Sequence, residues 1–383
     1  MHRNKQKLIF SSPNMGEYNK LVFRTLMKGL GQEYILPPPI TVDTVRIGTR
    51  HSHELACQPY RISLGDEIRA IQSGADALIL SAGQDACRYR YYWSSQKQVL
   101  SRIFARDIPF FVIQHEDVLG SLKALVEWCQ AAISPGELQA LLGTINQKID
   151  LHDALGILYR MARMRDRHAA RFLYCRYGKM IEKSQNSTDL ESLFSPMKSD
   201  FGSLTSDCET APELRVMLVG SVYEVLETEA NNHIEDMLAD LGVLPVPMLN
   251  YHALASFRFV PSEVAVFCNR FRPAHREMGR RLLSLMKSPS LIRHCGFGGF
   301  GSYNVGLAAC ARELGYDGVI HMYPFFCMPE IIAKGFLKEI SSDQDIPIMS
   351  IVTDERNSDL GFRAKVEAFV DLLHWKKQRL CSV

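Results

Sequence analysis

Twice along this chain, short runs of apolar residues alternate with segments of helical periodicity, and that alternation constrains the fold more than any other feature. The first set of runs is Lys7-Leu8-Ile9-Phe10, Tyr34-Ile35-Leu36, Ala77-Leu78-Ile79-Leu80 and Pro109-Phe110-Phe111-Val112-Ile113. Helical patterns fall between them over about 17–30, 59–73 and 88–104. Apolar runs this short suit buried strands, and strands alternating with helices argue an α/β fold with a mostly parallel sheet. The pattern returns with Arg215-Val216-Met217-Leu218-Val219-Gly220, a helix to about Leu241, helices between 253 and 287 and a glycine-rich turn. A helix over 304–315, the strand Gly318-Val319-Ile320-His321, a helix after Cys327, the strand Pro347 to Val352 and a helix from about Gly361 complete it. The expectation is an α/β chain of two Rossmann/flavodoxin-like parallel-sheet domains bridged by a helical segment.

The domains are expected at 1–115 and 213–383. Residues 116–183 read as a helical bridge, with a start signal at Ser134-Pro135-Gly136-Glu137. Residues 184–212, rich in serine, read as a polar linker. Within the bridge, Arg160 to Lys183 holds eight Lys/Arg against Asp166 and Glu182. Such a run is either a solvated helix face or an electrostatic dock for a partner.

At 383 residues the chain is long enough for two or three cores at about 150 residues each. Its 44 basic and 42 acidic side chains leave a net charge of +2, so no whole-chain field recruits nucleic acid or an anionic membrane. The apolar run Leu8-Ile9-Phe10 ends at Ser11-Ser12-Pro13, shorter than the about 7 to 15 residues of a signal peptide. No run approaches the about 18 residues of a membrane span. Ten cysteines spread over so long a chain do not form a small disulfide scaffold. The reading is a soluble, cytoplasmic protein whose thiols stay reduced, bind metal or react.

An internal echo places three of those thiols. Gly74-Ala75-Asp76-Ala77 opens one buried strand and Cys87 follows Gly74 by 13 residues; Gly315-Tyr316-Asp317-Gly318 opens another and Cys327 follows Gly315 by 12. Each unit is a helix, a glycine turn, a strand and a cysteine starting the next helix. In open α/β sheets ligands bind beyond the carboxyl ends of the strands, where both cysteines fall. Helix starts favour negative charge and so a thiolate. Cys57 joins them, with Pro59 suited to a first helical turn. Soft sulfur ligands select zinc, copper(I) or an iron–sulfur cluster. The chain has no C-x-x-C pair, which disfavours a zinc ribbon or finger, and no ferredoxin run. A cluster pinned where two domains meet, one thiolate per loop, needs neither. Buried, inert cysteine is the competing reading.

At these positions the chain resembles the 2-hydroxyacyl-CoA dehydratase D-component superfamily, nearest its CoA protein activase branch. The resemblance lies in Ala56-Cys57-Gln58-Pro59, Ala86-Cys87-Arg88-Tyr89-Arg90-Tyr91-Tyr92, Pro324-Phe325-Phe326-Cys327-Met328-Pro329-Glu330, Gly220 to Glu227, and the tail from Asp354-Glu355 through Val366 to Asp371. It covers roughly 7–115 and 214–375. It implies an oxygen-sensitive 4Fe-4S cluster on Cys57, Cys87 and Cys327, and low-potential electrons supplied by a separate activator ATPase. It also implies reductive chemistry on a small molecule or acyl-CoA thioester, in an anaerobic setting. The chain departs from the family at Gln84, where an earlier cysteine of a double cluster often stands, at Arg356 for His, and at Ala364-Lys365 for Thr-Arg. A non-catalytic electron-relay or assembly partner, and an α/β ligand-binding protein with structural cysteines, are the alternatives; a dimer is compatible with each.

Other motifs carry less. Gly296-Phe297-Gly298-Gly299-Phe300-Gly301 matches a dinucleotide fingerprint but follows no convincing strand. Cys295 beside it is a candidate fourth ligand, against a packed thiol. His51 and His53 are spaced for different helix faces. Asp354-Glu355 sit past a strand end, Glu330 in a first helical turn, and Tyr89, Tyr91, Tyr92 and Trp93 are candidates to shield a cluster or simply to pack. No Gly-x-x-x-x-Gly-Lys-Ser/Thr loop and no G-x-S-x-G elbow occur.

Overall fold

A computed structural model describes residues 8–82, 87–114, 117–205, 213–249, 299–353 and 359–381. The chain is α/β and divides into two compact units, 1–146 and 147–383. The first holds β1 (Ile9–Ser11), a π-helical turn (Asn19–Phe23) running into α1 (Arg24–Gly29), β2 (Glu33–Tyr34), α2 (Val42–His51) and α3 (Gln58–Gln72). It continues with β3 (Ala77–Ser81), α4 (Tyr89–Phe104), β4 (Phe110–Ile113) and α5 (Val118–Trp128). The division falls within α6 (Pro135–Arg163).

All four strands are parallel, in the order β2-β1-β3-β4, with Phe10 opposite Ala77 and Leu80 opposite Val112. Leu78, Ile79 and Leu80 are buried, as expected of a central parallel strand covered on both faces. Trp128 closes one side, its ring 4.3 Å from Phe111 and 5.9 Å from Phe10. Helix α2 has no counterpart in the sequence reading. Thr41 caps it reciprocally with Thr44, and it crosses α3 where Gly48 lies on the Arg61 carbonyl and Gly65 on the Thr44 carbonyl. A Cβ at either glycine would overlap a backbone oxygen.

The second unit holds α7 (Arg167–Lys183), α8 (Ser187–Ser203), β5 (Leu214–Gly220), α9 (Val222–Leu226), α10 (Ile234–Asp240) and β6 (Val243–Pro247). After residues 250–298, which lie outside the described set, come α11 (Gly299–Cys310), β7 (Gly318–Pro324), α12 (Met328–Asp343), β8 (Ile348–Thr353) and α13 (Asp359–Cys381). The sheet is again all parallel, in the order β6-β5-β7-β8. Its core joins β5 and β7 to Leu307, Leu337, Val366 and Phe369. Each such side chain, fully buried, contributes roughly 1.5–3 kcal/mol.

The two sheets share a fastening. Gly74 and Gly315 end their helices at φ 105° and 74°, a left-handed turn that glycine adopts without steric cost. Asp76 then accepts from the Ile9 N–H at 3.1 Å and donates its own N–H to the Ile9 carbonyl at 2.7 Å. Asp317 does the same with Arg215, at 2.7 and 2.9 Å. The echo in the sequence is thus a repeated backbone–carboxylate clamp between the first and third strands.

One expectation needs correcting and another gains detail. The polar linker is helical over Ser187–Ser203: Asn186 caps it, and Leu190, Leu193, Met197 and Phe201 recur at helical spacing and are buried, leaving the serines on the outer face. The basic run is in part an ion-paired face. Arg160 reaches Glu235 at 2.5 Å, Arg163 pairs with Asp236, Arg167 lies 2.9 Å from Asp240, and Arg176 lies 3.4 Å from Asp200. In addition, the helix expected over 304–315 begins at Gly299, so the last glycines of the dinucleotide-like motif lie in a helical first turn. Among the described residues no helix is long and apolar enough to cross a membrane.

Candidate thiol sites and the polar edge of the second sheet

In the first unit the structure gives Cys57 and Cys87 the same neighbours. Cys57 is the residue before α3, its carbonyl taking the N–H groups of Tyr60 and Arg61, with Pro59 in the first turn. Cys87 stands just before α4, accepting from the Arg90 N–H at 3.2 Å. Both are half-buried and neither is in a disulfide. The Cys57 Sγ lies 3.0 Å from the Tyr92 hydroxyl. Tyr92 is held edge-on by Tyr60, whose ring is 4.6 Å away, and by Tyr89 at 5.5 Å, while the Tyr60 hydroxyl bonds Ser95.

Burial raises both phenols well above their ordinary range; for Tyr92 the charge of Cys57 adds most after burial, and for Tyr89 that of Glu67 and then Cys87. Each tyrosine therefore feels both thiols and stays a neutral O–H donor. Tyr91, by contrast, is exposed, with the Arg90 guanidinium over its ring. Deeper in α3, Asp66 accepts from the Asn14 N–H and side-chain amide. Glu67 beside it is fully buried with no hydrogen-bond partner for either oxygen among the described residues, and burial, then Asp66, pushes it well above the usual carboxylate range.

Cys327 occupies the matching place in the second unit, before α12 and three residues past the end of β7. Its N–H donates to the Pro324 carbonyl at 3.0 Å and its carbonyl accepts from Ile331. Phe326 just before it has φ 69°, a left-handed conformation that costs a non-glycine residue about 1–2 kcal/mol. Phe325, Met328 and Ile331 stand exposed around the half-buried thiol.

Among the described residues no three His, Cys, Asp or Glu side chains converge as a metal site. Cys295, Gly296 to Gly298, Asp354-Glu355, Gln84 and Arg356 lie outside the described residues. His51 ends α2, and His53 lies beyond it with its ring 5.4 Å from that of Tyr60.

Glu330 does more than favour a first helical turn. It is buried, accepts from Asn304 Nδ2 at 3.0 Å on each oxygen, and lies 2.8 Å from His321 Nε2. His321 Nδ1 faces the Ser350 hydroxyl at 3.2 Å, and Asn304 also donates to the Gly220 carbonyl. Glu224, fully buried nearby, accepts from the Ser221 hydroxyl. This polar group runs from the middle of β7 and β8, at His321 and Ser350, to the carboxyl end of β5 at Gly220, and β5 and β7 flank the point where the strand order reverses. The sequence reading missed it. The available signals were a histidine inside the apolar strand Gly318 to Pro324 and an asparagine inside the apolar helix Gly299 to Cys310.

No family model matches the chain, and no curated protein matches it. The resemblance to the dehydratase superfamily therefore rests on the motifs in which Cys57, Cys87 and Cys327 stand.

Proposed function

We propose that the protein is an iron–sulfur protein of the 2-hydroxyacyl-CoA dehydratase/activase type, with a 4Fe-4S cluster on the thiolates of Cys57, Cys87 and Cys327. Its work in this reading is low-potential, ATP-coupled electron transfer, or reductive chemistry on a small molecule or CoA thioester. A separate activator ATPase supplies the electrons. The observation that carries the reading is the shared setting of Cys57 and Cys87, two half-buried thiols at helix starts near one pair of tyrosines, Tyr92 buried and Tyr89 partly buried.

That donor set fits the group. The thiols are soft ligands, the helix starts at α3 and α4 favour the ionised sulfur, and the Tyr92 hydroxyl is placed to donate to the Cys57 sulfur. When bound, such a cluster supplies one-electron transfer at a potential set partly by hydrogen bonds to its sulfurs. Tyr92 holds its proton at that sulfur because burial and the neighbouring thiols disfavour the phenolate. Tyr60 and Tyr89 keep the Tyr92 ring in place and exclude water from one side. Cys129 has a different setting: burial alone pushes its thiol up to about 11, as for an inert cysteine.

Iron and acid-labile sulfide, measured on protein purified without oxygen, test the reading. About four irons per chain are expected for one cubane. Cys57→Ala, Cys87→Ala and Cys327→Ala each lose iron, and Cys129→Ala keeps it. Equal iron in all four variants, or no iron after reconstitution of the wild type, overturns the assignment. Adding an activator ATPase and a reductant then separates an enzyme, which turns over an acyl-CoA, from an electron relay, which does not.

A further inference from the structure

Two carboxyl groups meet at the C-terminal edge of the second sheet, and their hydrogen-bond partners are unequal. Glu330 has donors on both oxygens, from Asn304 Nδ2, with His321 Nε2 2.8 Å from Oε2. Glu224 has the Ser221 hydroxyl on Oε2, and its Oε1 has no hydrogen-bond partner among the described residues although the side chain is fully buried. We propose that this corner is a proton-binding site that holds one exchangeable proton on Glu224 at neutral pH. The proposal rests on the second unit alone and not on the iron–sulfur reading.

The choice between the carboxyl groups follows from the donors. A second buried carboxyl group disfavours the charged form of Glu224. Both oxygens of Glu330 have a polar neighbour, the Asn304 amide on each and His321 Nε2 on one, whereas the buried Oε1 of Glu224 has none among the described residues, which makes the charged form of Glu224 costly. Among the described residues the titratable group acting on Glu224 is Glu330 from α12, with His321 from β7 behind it, 2.8 Å from Glu330. Ser221 at the end of β5, Asn304 from α11 and Thr353 at the end of β8 complete the wall and are uncharged. The Thr353 hydroxyl lies close by but outside hydrogen-bond geometry. The electrostatics agree: burial pushes Glu224 up to about 8, the Ser221 hydroxyl opposes it, and Glu330 adds to it. The proton thus sits where open α/β sheets act on their ligands, and its release places one new negative charge there.

Infrared spectroscopy of the full-length protein tests this, comparing ordinary with ¹³C-glutamate-labelled samples from about pH 6 to about pH 10. The expected spectrum at neutral pH has the C=O stretch of a protonated carboxylic acid, shifted by the label and lost with a midpoint near pH 8. Glu224→Gln removes the component of that band that is lost near pH 8, and Glu67→Gln identifies the contribution of the other buried glutamate. Should Glu224→Gln fail to fold, Ser221→Ala reports instead: removing the donor to Glu224 shifts the midpoint upward. Glu330→Gln, removing the neighbouring charge, shifts it downward. A neutral-pH spectrum without a protonated glutamate, a spectrum unchanged by Glu224→Gln, or a midpoint unmoved by Ser221→Ala overturns the proposal.

Discussion

Arg163 and Arg167 reach the same carboxylate, and replacing each by alanine separates distance from burial as the source of an ion pair's worth. Arg167 is the closer to Asp240, at 2.9 Å against 3.8 Å, but its side chain is 56% exposed; that of Arg163 is 4% exposed and also pairs with Asp236. If distance governs, Arg167 matters more. Burial argues the reverse. An exposed pair contributes about 0–0.5 kcal/mol, because water and salt screen it and two long side chains lose freedom.

Removing one partner of a fully buried pair costs about 3–5 kcal/mol. Here the acids are 37% and 45% exposed and rehydrate once the guanidinium is gone. The cost of Arg163→Ala falls accordingly to about 2–4 kcal/mol, made up of charge-assisted hydrogen bonds and the buried aliphatic stem. Arg163→Met keeps most of the stem and recovers about 1 kcal/mol of that. Urea unfolding followed by far-UV circular dichroism reads these differences. With a slope of about 3 kcal/mol per M, Arg163→Ala lowers the midpoint by about 1 M and Arg167→Ala by less than about 0.2 M. Equal shifts, or a larger one for Arg167→Ala, refute the argument from burial.

Two further outcomes are expected. Glu224 titrates near 8 in the folded protein against 4.5 for an ordinary glutamate, so the folded state binds its proton more tightly than the unfolded one. Relative to Glu224→Gln, wild-type stability should be unaffected below about pH 4.5, fall as pH rises toward about 8, and level off above it, by about 3–5 kcal/mol in all; a flat difference between the two urea-derived profiles would contradict this. Gly48→Ala should lower the thermal midpoint through a loss of about 1–3 kcal/mol, since its methyl meets the Arg61 carbonyl, whereas Gly143→Ala, facing open space on α6, should raise it slightly. Matching shifts for the two would show that helix propensity, not the α2–α3 approach, decides.

The central strands were legible because parallel strands buried on both faces are written as unbroken apolar runs such as Ala77 to Leu80. The cysteines at helix starts were legible for a local reason too: a proline in the first turn, at Pro59 and Pro329, marks where a helix begins. Helix α2 escaped because its start signal is a threonine pair, Thr41 and Thr44, without the glutamate of the usual capping box. The serines from Ser187 to Ser203 masked a stripe that only four apolar residues carry. The polar edge escaped for a deeper reason. Glu224, Asn304, His321, Glu330 and Thr353 come from five elements, and nothing in the spacing of one predicts the place of another until the sheet order is known.

The aspartate clamps close loops of different length. Asp76 reaches back 67 residues to Ile9, and Asp317 reaches back 102 to Arg215. Loop-closure entropy grows only with the logarithm of length, so the longer loop costs about 0.4 kcal/mol more. One carboxylate bonded to an N–H at the start of a strand outweighs that difference. The crossover between the second and third strands of each sheet is therefore thermodynamically free to lengthen, and the second half carries some of its extra residues there at almost no cost to the register of its strands.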